Sequence, residues 1–254
     1  MFSYIKAEFY RTRKRLPIIL LFIFGVVGIG LSYYTTVEYT RTKSASTFLF
    51  QVAQTAEQVV IFITLMLATV TFKRREEMRN YLQKGNKRLN PVIGDYIVAT
   101  CYTILFAFIF GLISVLLSKT LSQTPNEFYD GMNTSMFIRS IYGEIIFVFL
   151  TLGGVNMFYE LTNLQGATVA IGILYYMFVP MIFITTGLSG MDTWIGHIAD
   201  YFVKLAPYNY GNEIANWVQM GVNPFREGWF TAMVIVNVVV FTIIRYIVIN
   251  RKKY

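Results

Sequence analysis

One cysteine, Cys101, and one histidine, His197, are all that this 254-residue chain holds of either type. A single thiol closes no internal disulfide. With one imidazole beside it, the chain can build neither a cysteine-rich metal cluster nor an H-E-x-x-H zinc site. No G-x-x-x-x-G-K-[ST] run occurs, so the chain carries no P-loop of its own for ATP, and Leu188-Ser189-Gly190 echoes a transport-ATPase signature only by chance. His197 is read as a surface residue and no residue as catalytic. Charge is scarce as well: charged residues make up 14% of the chain against 55% hydrophobic ones, which excludes a water-soluble core.

Six apolar stretches are present instead: 16–37, 48–72, 96–118, 137–158, 166–188 and 230–249. Each reaches the roughly 20 helical residues that bilayer hydrocarbon requires. The expected architecture is therefore all-α, a single polytopic membrane domain over residues 1–254. The start is basic through Arg15 and then apolar, like a secretory signal. However, the apolar run exceeds the usual signal core, and Tyr33, Tyr34 and Thr35 stand where a small-x-small cleavage site would follow. It is read as a retained first span.

Basic residues alternate between the two sides of these stretches. One side takes Lys6, Arg11, Arg13, Lys14 and Arg15, then Lys73, Arg74, Arg75, Arg79, Lys84, Lys87 and Arg88, then Arg251, Lys252 and Lys253. The other side takes Arg41, Lys43, Lys119, Lys204 and Arg226, while Arg139 and Arg245 fall within spans. Because Lys and Arg are retained on the cytoplasmic side, both termini are expected inside the cell membrane. The net charge of +8 is concentrated on those flanks, where it meets anionic lipid headgroups rather than nucleic acid.

Residues 1–15 place Phe2, Ile5 and Phe9 opposite Lys6, Arg13 and Lys14, as in a helix lying in the headgroup plane. The loop 73–95 is the most polar part of the chain. Glu76, Glu77, Arg79, Tyr81, Leu82 and Lys84 read as a short helix ended by Gly85, and Pro91 marks the approach to the third span. Its length makes it a candidate docking loop, with Tyr159 to Gln165, containing Glu160, as a smaller second contact on the same side. On the other side, 189–229 carries Trp194, Ile198, Phe202 and Leu205 at helical spacing, and after Pro207 a second piece with Ile214, Trp217 and Val218. Two outer re-entrant or leaflet helices are expected, with all three tryptophans at the interface.

Within the spans, Gln51, Gln54, Glu57 and Gln58 form a polar stripe on the second helix, and Arg139 and Glu144 lie in the outer half of the fourth. Polar groups at membrane depth face the bundle interior. The stripe either lines a translocation pathway or joins helices by hydrogen bonds, and both readings stay open. Pro180 is expected to bend the fifth span.

The interfacial helix, six spans, Glu76-Glu77-Met78-Arg79-Asn80-Tyr81-Leu82 followed by Pro91-Val92-Ile93-Gly94-Asp95, and Trp194-Ile195 through Leu205-Ala206-Pro207-Tyr208-Asn209-Tyr210 together resemble the membrane subunit of ABC-2-type (type V) exporters. Met78-Arg79 stands where many members have Gly-Thr, and Asp95 where Lys is frequent. The resemblance implies a permease without enzymatic activity. A separate cytoplasmic ATPase, with ATP and Mg, would grip Glu76, Glu77, Arg79, Tyr81, Leu82 and Lys84, assisted by Glu160. A second permease copy or related chain would complete the unit. Within the family the chain looks most like exporters of amphipathic cytolytic peptides, among them the staphylococcal phenol-soluble modulins. The alternatives are an ion-coupled carrier using Glu57 or Glu144 as its proton site, and a non-transporting immunity or sensor subunit.

Overall fold

The structure, a computed structural model, describes residues 1–39, 44–71, 75–85, 87–122, 133–204 and 235–252, without the side chains of Tyr39, Glu57, Gln58, Val60, Ile61, Arg75, Glu76 and Lys204. The described residues are helical, with no strand beyond a single bridge between Ser44 and Ser122. In chain order the helices are α1 (Phe2–Thr12), α2 (Leu16–Tyr34), α3 (Ala45–Thr71), α4 (Arg75–Gln83), α5 (Leu89–Ser118), α6 (Thr134–Thr162), α7 (Gln165–Ile173), α8 (Val179–Thr185), α9 (Trp194–Lys204) and α10 (Phe241–Arg251). Among the described residues, π-helical turns extend them at Thr35–Tyr39 after α2, Leu174–Phe178 between α7 and α8, and Ile235–Val240 leading into α10. The second outer piece, with Pro207, Trp217 and Trp229, lies outside the described residues.

Among the described residues, four segments are long and apolar enough to cross a membrane: Leu16–Glu38, Leu89–Ser118, Thr134–Thr162 and Gln165–Thr185. The expected second span is one helix of 27 residues, with the polar stripe in its first half and the apolar stretch Phe62–Thr71 in its second. Of the expected sixth span, Ile235 to Arg251 are described, and they are helical throughout. Phe24, Phe108, Leu116 and Met181 stand exposed on the perimeter, a surface that hydrocarbon tolerates and water does not.

α6 is the central helix. Of its membrane-length window 61% is buried, against 22% for α2 and 17% for α5, which therefore lie at the rim. Its ends are set by asparagines. Asn133 accepts a hydrogen bond from the Met136 amide at 2.9 Å, and Asn163 ends the helix in the left-handed conformation at φ 55°. Phe147, Val148, Leu150, Leu152 and Val155 fill the core against Leu65 and Leu67 of α3 and Val98 and Ala99 of α5. A second cluster around Ile29, Phe48, Leu49 and Phe137 closes the opposite end, where Ala45 donates to the Ser122 carbonyl.

Two sequence expectations are altered. α5 begins at Leu89, seven residues before the apolar run, so Pro91 lies inside the first turn, where its missing N–H has no helical acceptor to lose. α1 does not turn Ile5 and Phe9 toward lipid: both pack against the core, and Tyr4, Glu8 and Thr12 are its most buried residues. Only Phe2, 87% exposed, and Tyr10 remain outward from the aromatic face, with the Arg13 guanidinium 4.2 Å above the Tyr10 ring.

Candidate functional site

At the basic end of the bundle, α4 lies beside α1. α4 is amphipathic: Met78 is buried and anchors it, while Glu77, Arg79 and Lys84 are exposed and Tyr81 and Leu82 half-buried. Tyr81 meets the Tyr4 ring edge-on, centroids 5.2 Å apart, and accepts a hydrogen bond from Asn90 Nδ2 at 3.1 Å. Glu77 Oε2 stands 3.8 Å from Arg11 Nη1. Arg11 is itself paired with the buried Glu8 one turn earlier. Burial opposes the Arg11 charge, but Glu8 and Glu77 outweigh it and raise its pKa.

Behind this face is a buried ionic lattice that the sequence reading did not assemble. Asp95 of α5 and Arg245 of α10 are 1% and 4% exposed and pair at 2.8 Å. Arg245 also donates to the Val92 carbonyl at 3.2 Å and stands 3.6 Å from Glu160 of α6. Glu160 in turn meets Lys252 Nζ at 3.1 Å, and Lys252 reaches the Asn163 side chain at 2.7 Å. Two carboxylates face two cations, so the buried lattice carries no net charge. The Tyr4 hydroxyl completes it from α1, donating to Asp95 Oδ1 at 2.5 Å. Burial, and then the Asp95 and Glu8 carboxylates, push the Tyr4 phenol far above its ordinary range, which keeps it a donor.

Gly94 lets this contact form, since a Cβ there would overlap the Tyr4 ring. Two turns further along α1, Thr12 and Tyr102 share a 3.0 Å hydrogen bond. Arg88 supplies the last staple: its Nη1 donates to the Ile249 and Asn250 carbonyls at 2.9 and 2.5 Å, covering the C-terminal end of α10. Lys252 covers the end of α6 in the same manner. Cations at helix C-termini satisfy otherwise orphaned carbonyls and oppose the helix dipole.

Of the expected coupling residues, Glu77, Arg79, Tyr81 and Leu82 share α4, the backbone of Glu76 lies there too, and Lys84 follows directly after its end. Glu160 stands apart from them as an internal partner of Arg245 and Lys252. The expected pathway residues divide. Gln51 accepts hydrogen bonds from Thr35 and Thr36 at 3.0 and 2.9 Å and so joins α3 to the π turn after α2. Gln54 and Arg139 are exposed, Glu144 is half-buried, and the side chains of Glu57 and Gln58 lie outside the described residues. Arg245 was the available signal for the lattice: an arginine inside an apolar run requires a buried partner. Which carboxylate answers it depends on helix packing. Among the described residues no group of three or more His, Cys, Asp or Glu is placed to hold a metal ion. In comparison with known proteins, the chain matches no family model and no curated protein.

Proposed function

We propose that the chain is the membrane-spanning permease subunit of an ATP-driven exporter of the ABC-2 type, with six crossings and both termini in the cytoplasm. The observation that carries this reading is α4. It is a short polar helix at the basic end, anchored by Met78, with Glu77, Arg79 and Lys84 outward and with Tyr81 and Glu77 contacting α1. A helix so exposed on one side and so tied to the bundle on the other suits a lever gripped by a separate ATPase. Binding and hydrolysis of ATP with Mg belong to that partner. Closure of a pair of ATPases would bias the bundle between two arrangements that differ in contacts at α4.

A second permease subunit covers the polar groups that one chain leaves open. Gln54 on α3 and Arg139 on α6 are exposed within membrane helices, where lipid contact costs about 3 kcal/mol for a charged residue. The amphipathic cargo, a cytolytic peptide in this reading, passes along that face. Purification from native membranes through a tag on this chain tests the proposal. A P-loop ATPase is expected to co-purify, its hydrolysis stimulated by amphipathic peptide. Arg79→Glu with Lys84→Glu is expected to lower both association and stimulation about tenfold, the scale of 1.4 kcal/mol. Transport by the chain alone, following a proton gradient and surviving ATP depletion, would replace this reading with the ion-coupled carrier.

A further inference from the structure

Two of the π-helical turns among the described residues meet at one point. The turn Leu174–Phe178 brings Tyr176, and the turn Ile235–Val240 brings Asn237, against the Gly153–Gly154 step of α6. Both side chains are fully buried, and the Tyr176 hydroxyl is shared between Asn237 Oδ1 at 3.3 Å and the Thr151 carbonyl at 3.4 Å. The glycines are required by the approach. A Cβ on Gly153 would overlap the Asn237 carbonyl oxygen, and one on Gly154 would sit 2.5 Å from the Tyr176 hydroxyl oxygen.

The first π turn has a local cause. Pro180 lacks an N–H for the carbonyl four residues back, that of Tyr176, and its ring crowds the same group, so the helix widens just before it. The fifth span therefore stays continuous, with a π turn joining α7 to α8 ahead of the proline. The second π turn has no proline. There the Asn237 carbonyl is turned toward Gly153, where no side chain blocks it. A π turn holds one residue more than the α-helical repeat, so closing it to α-helix rotates the helix beyond it by about 100°. One turn from Gly153 toward the basic end, Asn156 is buried with neither side-chain amide atom hydrogen-bonded, which costs on the order of 1 to 3 kcal/mol per group. A rotated neighbour has that much to gain by satisfying it.

We propose that the Gly153–Gly154 step is a pivot on which α8 turns, with the turn Ile235–Val240 shifting in step against the fixed α10. The two π turns are its movable slack, and the Tyr176–Asn237 hydrogen bond is the link that makes them switch as one. The ionic lattice holds the basic ends of α5, α6 and α10 fixed, so the motion is confined to the segments beyond the pivot. This inference stands without the ATPase and is testable on the purified full chain in lipid nanodiscs.

Alanine at Gly153 would block folding, so the test uses Tyr176→Phe, which keeps the ring and removes the link. Hydrogen exchange is followed over 174–178 and 235–240. Spin labels on Ile138→Cys and Ile184→Cys, in a Cys101→Ser background, report the distance between α6 and α8. The expected result is exchange at least fivefold faster in both π turns, including the one that carries no substitution, with unchanged exchange in α5 and a shift between two label distances. Faster exchange in 174–178 alone, a uniform rise that includes α5, or a single unmoved distance would overturn the pivot.

Discussion

Arg245 shows what a single buried charge demands. It sits in an otherwise apolar helix and is matched by Asp95 at 2.8 Å and Glu160 at 3.6 Å. Removing one partner leaves the others uncompensated, and breaking a buried pair costs about 3 to 5 kcal/mol. Arg245→Met is expected to lose that much unfolding free energy in detergent micelles. The double variant with Asp95→Asn loses clearly less than the sum of the two singles, because Glu160 and Lys252 remain as a neutral pair. Strict additivity in that cycle would show that the two side chains do not interact. Lys252→Ala is expected to be milder, about 1 kcal/mol, since its side chain is partly exposed at a helix end. Sequence alone placed Arg245 inside a span but drew nothing from it. It could not name Asp95, 150 residues away, because that proximity is created by packing α10 against α5.

At the scale of elements, α4 and α1 respond differently to substitution. Met78 is the buried anchor of α4, so Met78→Ala is expected to loosen the helix by about 2 kcal/mol. Hydrogen exchange over 75–83 reads this as faster opening, whereas Arg79→Ala on the outward face leaves it unchanged. Equal effects of the two would mean that α4 does not pack by Met78. The helical period of α4, its end near Gly85 and the two faces of α1 were legible from residue spacing. The direction in which α1 turns its faces was not. Hydrophobic patterning pointed Ile5 and Phe9 outward toward lipid, but the hydrogen bonds from Tyr4 to Asp95 and between Thr12 and Tyr102 rotate them inward. α5 supplies those partners by starting at Leu89, inside what composition marked as loop.

For the whole molecule, the basic ends of α5, α6 and α10 gather with α1 and α4, and Ser44 and Ser122 meet at the opposite end. In the proposed orientation, an impermeant maleimide applied to intact cells labels Met191→Cys and spares Arg79→Cys, each in a Cys101→Ser background. Labelling of Arg79→Cys from outside would reverse the orientation and remove α4 from the reach of a cytoplasmic ATPase.

The run lengths of apolar residues determined by themselves that this chain is helical and apolar enough for a bilayer, because a helix must be long enough to bury its own backbone polarity in hydrocarbon. The distribution of Lys and Arg likewise marked which connections belong together. What tertiary structure alone decided is which groups answer one another across helices. Gln51 bonds to threonines after α2, Asp95 and Glu160 neutralise Arg245, and two π turns converge on one diglycine. Each of these is a contact between residues distant in the chain, set by how α6 packs against its neighbours, and spacing along one helix carries no record of it.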